Sequence, residues 1–122
     1  MDTVSNMIIK LKNAGDARHE SVSMPFSNLK RSIAEVLKKE GFITNFGEKS
    51  EKGKRILVIA TSKVSGVKRI SKPSKRIYKK ATEIRPVKNG YGALILSTSR
   101  GVMTGREAKR AKLGGEALFN IW

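Results

Sequence analysis

Positive charge is the feature that most constrains this chain. Its 122 residues carry 26 Lys and Arg against 10 Asp and Glu, a formal net charge of +16. Residues 1–61 hold 11 basic and 7 acidic residues, net +4, whereas residues 62–122 hold 15 and 3, net +12. Because self-repulsion destabilises a compact basic fold, the second half predicts a polyanionic partner. A generally basic protein without a dedicated partner is the alternative.

Several classes of function are disfavoured by what the sequence lacks. The absence of cysteine excludes disulfide bonds, thiolate catalysis and thiolate zinc sites. No apolar run approaches the roughly 20 residues of a membrane-spanning helix, and we expect no signal peptide. The single histidine, His19, has no nucleophile beside it, and the carboxylates of the first half lie among lysines. We therefore expect no catalytic residues, no metal site and no cofactor.

The first half predicts an α-β-α-β-β unit. One helix spans residues 3–14, and a short edge strand, "SVSMP", stops at Pro25. The next helix begins at the N-cap Ser27 and closes at Gly41. "FITNF" alternates as a strand, "GEKSEKGK" is typical of a polar turn, and "RILVIATS" indicates a buried strand. Two apolar stripes define the helix faces: Val4, Met7, Ile8 and Leu11 in the first helix, and Leu29, Ile33, Val36 and Leu37 in the second.

The pattern changes after Thr61, which predicts two domains. Residues 1–61 form the N-terminal α/β domain and residues 62–122 a mainly β domain with one short helix, an α+β fold overall. We expect at least one strand before residue 80, a hairpin turn at Asn89–Gly90 and a strand over residues 93–97. The terminal strand alternates, with Leu118 and Asn120 on one side and Phe119 and Ile121 on the other.

A short helix is predicted from Thr104 to Lys112. Thr104 and Glu107 have the spacing of a capping box, in which hydroxyl and carboxylate each accept from an amide at the helix start. Gly114 and Gly115 are interpreted as a C-cap pair able to take positive φ.

The segment Ser97-Thr98-Ser99-Arg100-Gly101 is open to two interpretations. Hydroxyls leaving a strand can donate to phosphates and sugar hydroxyls, and backbone near glycine can approach a ligand closely. An ordinary Ser/Thr-rich turn would have the same composition.

A run of basic residues precedes this segment, with seven cations in residues 67–80 and Tyr78 among them. Such residues neutralise phosphates, and an aromatic ring can stack on a base. A solvated charged face is the alternative, but no acidic residue within the run balances its charge.

Three segments together resemble those of a known family. "MPFSNLKRSIAEVLKKEGFI", "RISKPSKRIYKK" and "STSRGVMTGREAKRAKLGGE" are similar, in this order, to the signature segments of bacterial small-subunit ribosomal protein eight. The resemblance covers nearly the whole chain. The STS-x-G-V-M-T segment followed by G-G-E is its most specific part.

The resemblance implies a structural protein of the cytoplasmic small ribosomal subunit that binds the central domain of its RNA early in assembly. Implied partners are that RNA, neighbouring small-subunit proteins and, as for some members, its own messenger RNA. The implied RNA-binding residues are Ser97, Thr98, Ser99, Arg100, Gly101, Gly114, Gly115, Glu116, Tyr78, Lys75 and Arg76, with Ser27 and Lys30 as a secondary contact.

The sequence departs from the family's pattern at Gly105, where an acidic residue is usual. On propensity grounds this glycine weakens the helix start by up to about 1 kcal/mol. The chain is also slightly short between Phe46 and Arg55 and between Ala60 and Val67.

Two other functions remain as alternatives. A generic nucleic-acid-binding protein would explain the charge but not the STS and GGE segments. A ribonuclease would need an acid/base pair or clustered carboxylates, which the sequence does not offer.

Overall fold

The computed structural model describes residues 3–16, 21–61 and 64–122. Two compact units divide them, Thr3–Ser65 and Gly66–Trp122. The α+β class is confirmed, since the described residues form three α-helices and two antiparallel sheets. The domain boundary predicted after residue 61 adjoins residues 62 and 63, which lie outside the described residues, as does His19. That boundary stays a prediction.

The first unit has the predicted α-β-α-β-β order. Its three-stranded sheet has the order β1-β3-β2, with both pairings antiparallel, and β1 is the edge strand that its proline predicts. The elements are α1 (Thr3–Asp16), β1 (Ser21–Pro25), α2 (Asn28–Lys39), β2 (Ile43–Glu51) and β3 (Lys54–Thr61).

The two helices bury the apolar stripes of their sequences, with one exception. All four stripe residues of α1 are buried, and the helix continues through Gly15. In α2, Ser27 accepts the backbone N–H of Lys30 at 3.1 Å, and Gly41 ends the helix with φ of 85°. The prediction for Leu29 is wrong, because it is 39% exposed whereas Lys30 is only 6% exposed. The buried stripe begins at Lys30, three residues before Ile33.

The polar segment after Phe46 is a strand, so the long turn predicted there is wrong. Strand β2 continues to Glu51, and the turn is only Lys52–Gly53, with φ of 51° and 76°. Two consecutive positive φ values match the twist of a tight hairpin. Across it, Arg55 pairs with Glu48 at 2.5 Å. Pairing with β3 therefore holds a polar, exposed sequence in an extended conformation.

The second unit is organised around its last strand. Strand β8 pairs with β4 and β5 along one edge and with β6 along the other, and β7 pairs with β6. The predicted hairpin turn at Asn89–Gly90 is instead part of a 3-10 turn, Lys88–Gly90. The elements are β4 (Val67–Arg69), β5 (Tyr78–Lys79), β6 (Ala93–Thr98), β7 (Gly101–Thr104), α3 (Gly105–Arg110) and β8 (Gly115–Ile121).

The capping box of α3 is confirmed at both of its hydrogen bonds. Thr104 Oγ1 accepts the Glu107 N–H at 3.2 Å, and Glu107 Oε1 accepts the Thr104 N–H at 3.4 Å. The predicted C-cap pair is wrong, because the helix ends at Arg110 and the positive φ, 58°, belongs to Lys112. Gly114 and Gly115 are required for another reason, which concerns the sheet.

Packing explains the unusual Gly105. A Cβ atom at this position would lie 2.9 Å from the Ile84 side chain and 3.3 Å from Leu94 Cβ. The glycine thus lets the first turn of α3 approach the core, a gain that offsets its low helix propensity. The core cluster of this unit contains Ile84, Leu94, Leu96, Ala108 and Ala117. In the described residues, every helix is too short or too polar to cross a bilayer.

We predict that Gly66→Ala destabilises the second unit. Gly66 and Trp122 exchange two backbone hydrogen bonds of 3.0 Å, and a Cβ at residue 66 would lie 2.5–2.8 Å from three indole atoms. Overpacking of this kind costs about 1–3 kcal/mol. Urea unfolding followed by the fluorescence of Trp122 measures the loss. Gly47→Ala is the control, because its Cβ would meet no atom within 4 Å; equal stabilities of the two variants would contradict the prediction.

We also predict that Lys30→Met stabilises the protein at neutral pH. Burial, with a smaller contribution from the positive charge of Lys10, lowers the pKa of Lys30 below 10.5. The charged folded form is therefore disfavoured at neutral pH. As pH rises towards 10.5, folded Lys30 loses its proton before the unfolded chain does, so the wild type recovers stability and the advantage of Met shrinks.

Thermal unfolding of both proteins from pH 7 to pH 10.5 tests this sign. Lys54→Met is the matched control, because Lys54 is exposed. A stability difference for Lys30→Met that stays constant over this range would show that the substitution acts through packing alone.

Candidate nucleic-acid interface

Three strands bring residues from distant parts of the sequence into one row across the second sheet. Tyr78 of β5 pairs with Glu116 of β8, which pairs on its other side with Ser97 of β6. Opposed residues of neighbouring strands point to the same face, so these three side chains lie together. We call them the surface row. Tyr78 is 68% exposed, which leaves its ring accessible beside the carboxylate.

The STS segment is one arm of a hairpin that the sequence did not predict. Thr98 pairs with Gly101, so Ser99 and Arg100 form a two-residue turn and β7 begins directly after it. Gly101 has φ of 110°, a value that favours glycine. This glycine, followed by the short run Val102-Met103-Thr104, was the available sequence signal. The turn places Ser99 and Arg100 at an exposed tip.

Thr98 stiffens this turn. Its Oγ1 donates to the carbonyl oxygen of Gly101 at 2.8 Å and accepts the backbone N–H of Arg100 at 3.1 Å. The hydroxyl of Thr98 is therefore committed to the hairpin. Ser97, half-buried in the surface row, and Ser99, exposed at the tip, are better placed to meet a ligand.

Glu116 is held by Arg76. One guanidinium nitrogen, Nη1, donates to both carboxylate oxygens at 3.2 Å. The Glu116 side chain is only 13% exposed, whereas that of Arg76 is 56% exposed. The ion pair thus fixes a nearly buried carboxylate and partly offsets the charge of an exposed cation. Arg76 and Glu116 are 40 residues apart, so the sequence did not reveal the pair.

Ser71 anchors the basic loop, a role missed in the sequence. Its side chain is fully buried, and Oγ accepts the Ile77 N–H at 2.7 Å and donates to the Ile77 carbonyl at 3.0 Å. Backbone hydrogen bonds of 2.9 and 3.0 Å tie Ile77 and Ser71 to Ala117. Between Ser71 and Ile77, Lys72 and Lys75 close a turn by exchanging two backbone hydrogen bonds. The exposed cations of residues 72–76 therefore project from a defined loop.

Gly114 and Gly115 let neighbouring strands approach β8. A Cβ at Gly114 would lie 2.6 Å from the carbonyl oxygen of Lys79, and a Cβ at Gly115 would overlap the carbonyl oxygen of Ser97. Both obstacles are backbone atoms, which cannot move without disturbing the sheet. The glycine pair is thus a condition for the surface row.

Ser27 and Lys30, the expected secondary contact, belong to the first unit. Ser27 caps α2, and the ammonium-bearing side chain of Lys30 is buried, with a lowered pKa for the reasons given above. Lys75, Arg76 and Arg100 are exposed in the second unit. Whether each of these residues contacts RNA stays a prediction.

The surface presents side chains of the kinds that bind nucleic acids. It combines an accessible aromatic ring, serine hydroxyls, a fixed carboxylate acceptor and several cations, which are the groups that bind bases, sugars and phosphates. In the described residues, no three His, Asp or Glu side chains are grouped so that they could hold a metal ion.

Comparisons with known proteins agree with this chemistry. The family model described as "Ribosomal protein S8" matches residues 2–122. Curated proteins named "Small ribosomal subunit protein uS8" are similar to the chain: 44% identical in Exiguobacterium sibiricum, 42% in Staphylococcus carnosus and 41% in Mycoplasmopsis synoviae. Each match covers 99% of this chain and 97% of the relative. The resemblance seen in the sequence is confirmed, and the chain belongs to the ribosomal protein S8 family.

Proposed function

We propose that this protein is a structural constituent of the small ribosomal subunit, in the cytoplasm, and binds the central domain of its RNA. Its relatives carry the name of a small-subunit protein. The observation that carries the proposal is the surface row, in which Tyr78, Glu116 and Ser97 meet although they are far apart in sequence. Neighbouring small-subunit proteins and its own messenger RNA are further proposed partners.

The arrangement favours an irregular RNA stem over a regular duplex. The deep groove of A-form RNA excludes side chains, so specificity comes from the shallow groove, sugar hydroxyls and unpaired bases. Tyr78 offers a stacking surface, and Glu116 accepts from base amino groups. Ser97, Thr98, Ser99, Arg100 and Gly101, together with Gly114 and Gly115, form one rigid edge around that carboxylate.

Arg76 makes an acidic residue tolerable beside RNA. A free carboxylate would repel phosphates, whereas one held by a guanidinium keeps its acceptor oxygens without a full unbalanced charge. We propose that Glu116 supplies selectivity and that Lys75 and the other exposed cations supply affinity. In the first unit, we propose Ser27 and Lys30 as a secondary RNA contact. We also propose that residues 1–61 and 62–122 form two domains and that the second domain carries the main RNA site.

We propose further that the protein is not an enzyme. The matching family is one of ribosomal proteins, and in the described residues no three His, Asp or Glu side chains are grouped so that they could hold a catalytic metal ion. Incubation with RNA and magnesium gives no cleavage under this proposal, and cleavage lost on mutation of a specific residue would contradict it.

We predict that Glu116→Gln reduces discrimination between two RNAs of equal length, the central-domain stem and a regular duplex. The amide loses part of its acceptor capacity and releases Arg76, which strengthens binding to any phosphate backbone. The stem-to-duplex affinity ratio falls by about threefold to tenfold, the value of one hydrogen bond. Ser99→Ala also lowers the ratio, without the gain in duplex binding.

Glu51→Gln is the matched control, since it removes the same charge from an exposed carboxylate of the first unit. Filter binding at several salt concentrations measures both affinities. A ratio that Glu116→Gln leaves unchanged would remove the recognition role of Glu116.

We predict a different phenotype for Lys75→Ala. Loss of one exposed cation weakens stem and duplex about equally and lowers the slope of log affinity against log salt by about 1. The same titration separates the family's function from that of a generic nucleic-acid binder. A wild-type protein that binds duplex DNA as tightly as the stem at every salt concentration would favour the generic binder.

A further inference from the structure

A cavity of about 640 Å³ lies in the second unit, away from the surface row. Its walls come from strands β4 and β5 and from residues 83–88. Asn120 of β8, also in the wall, pairs with Lys68 on one side and Leu94 on the other. These three side chains consequently point to one face of the sheet.

That face is the one opposite the surface row. Leu94 and Leu96 share a face because they are two residues apart on β6, and both belong to the core cluster. Ser97, the next residue, points the other way with its partner Glu116. The cavity is therefore a distinct site on the second face of the same sheet.

The cavity is strongly cationic. Its described lining includes the basic residues Lys68, Lys79, Arg85 and Lys88 against the single carboxylate of Glu83; Arg69 also lines it but pairs with Phe119 on the opposite face. The carboxylate is already used, because Glu83 Oε1 accepts the backbone N–H of Lys80 at 2.8 Å. Within the described residues, no carboxylate pairs with Lys68 or Lys79. The cavity thus attracts an anion.

A polar atom in the wall is left without a partner. The carbonyl oxygen Oδ1 of Asn120 is buried, and no donor of the described residues reaches it. A buried acceptor without a donor destabilises a fold, and a ligand that supplies an N–H or O–H group to it would relieve that cost. The ligand that fits is an anion which also carries a hydrogen-bond donor.

We propose that this cavity binds one nucleotide of an unpaired RNA segment, as a second RNA contact. The phosphate meets Lys68, Lys79, Arg85 and Lys88, and a base N–H donates to Asn120 Oδ1. The volume is in the range of ligand cavities. A nucleotide carries the phosphate and the N–H donor in one unit, whereas an acidic peptide would have to bring a carboxylate and a backbone N–H together, and a lysine or arginine side chain would be repelled.

Trp122 provides the direct test. It lines the cavity, its ring centroid is 4.6 Å from Lys88 Nζ, and it is the only tryptophan of the sequence. Its fluorescence is followed as the full-length chain is titrated, at constant ionic strength, with a single-stranded RNA hexamer, GMP, inorganic phosphate or hexaglutamate.

The expected result is saturable quenching by the hexamer and weaker quenching by GMP, with little response to phosphate or hexaglutamate. Absence of quenching would overturn the proposal. Equal quenching by hexaglutamate would overturn it in favour of an acidic protein partner, and tighter binding of GMP than of the hexamer in favour of a free nucleotide.

Asn120→Leu gives a prediction with opposite signs. Removing the orphaned oxygen raises the midpoint of thermal unfolding, while affinity for the hexamer falls by about threefold to tenfold, the value of one hydrogen bond. A raised midpoint with unchanged affinity would show that the oxygen only destabilises the fold.

A second variant keeps the test independent of how Asn120→Leu folds. Lys68→Gln lowers hexamer affinity in the same assay, whereas Lys54→Gln, an exposed lysine of the first unit, changes it less. Equal losses of hexamer affinity in the two variants would show that net charge alone, not the cavity, binds the RNA, and would overturn the proposal. Glu116→Gln retains the Trp122 response, so failure of the stem site and failure of the cavity site are distinguishable.

Discussion

One extra residue in β8 decides which side chains the second unit presents. The pairing of β6 with β8 runs from Ile95–Phe119 directly to Leu96–Ala117, so Leu118 has no partner on β6 and forms a bulge. A bulge of one residue reverses the faces of everything beyond it. Ala117 thereby enters the core beside Leu96, and Glu116 joins Ser97 and Tyr78. Without the bulge, the carboxylate would point into the core.

Close backbone contacts on the N-terminal side of the bulge also help to position the surface row. Beyond the bulge, β8 lies between the carbonyl oxygens of Lys79 and Ser97, and only glycines fit at positions 114 and 115. Ser71 closes the base of the basic loop by hydrogen bonds to Ile77, and both residues bond to the backbone of Ala117, which directly precedes the bulged Leu118. Three features that look unrelated in sequence, a serine, a glycine pair and an extra residue, therefore position one surface.

Local patterns predicted the parts of this fold that local forces determine. Helical periodicity located α1 and α2, and the hydroxyls of Ser27 and Thr104 marked helix starts because capping needs only neighbours. Most of the failures involve pairing between strands; the exposed Leu29 of α2 and the glycine pair that does not cap α3 are the exceptions. Strand β2 is polar but is held by β3, and the bulge of β8 at Leu118 had no signal in the sequence. The Arg76–Glu116 pair depends on a fold that spacing cannot supply.

The second half of the chain leaves its positive charge available. Its acidic side chains are Glu83, Glu107 and Glu116, and each already has a hydrogen-bond or ion-pair partner within the unit. Glu83 accepts from the backbone of Lys80, Glu107 completes the capping box of α3, and Glu116 pairs with Arg76. The acidic residues thus support the structure rather than neutralise the lysines. Self-repulsion among those lysines is therefore not balanced within this unit, and a polyanionic partner that bound the folded form would stabilise it.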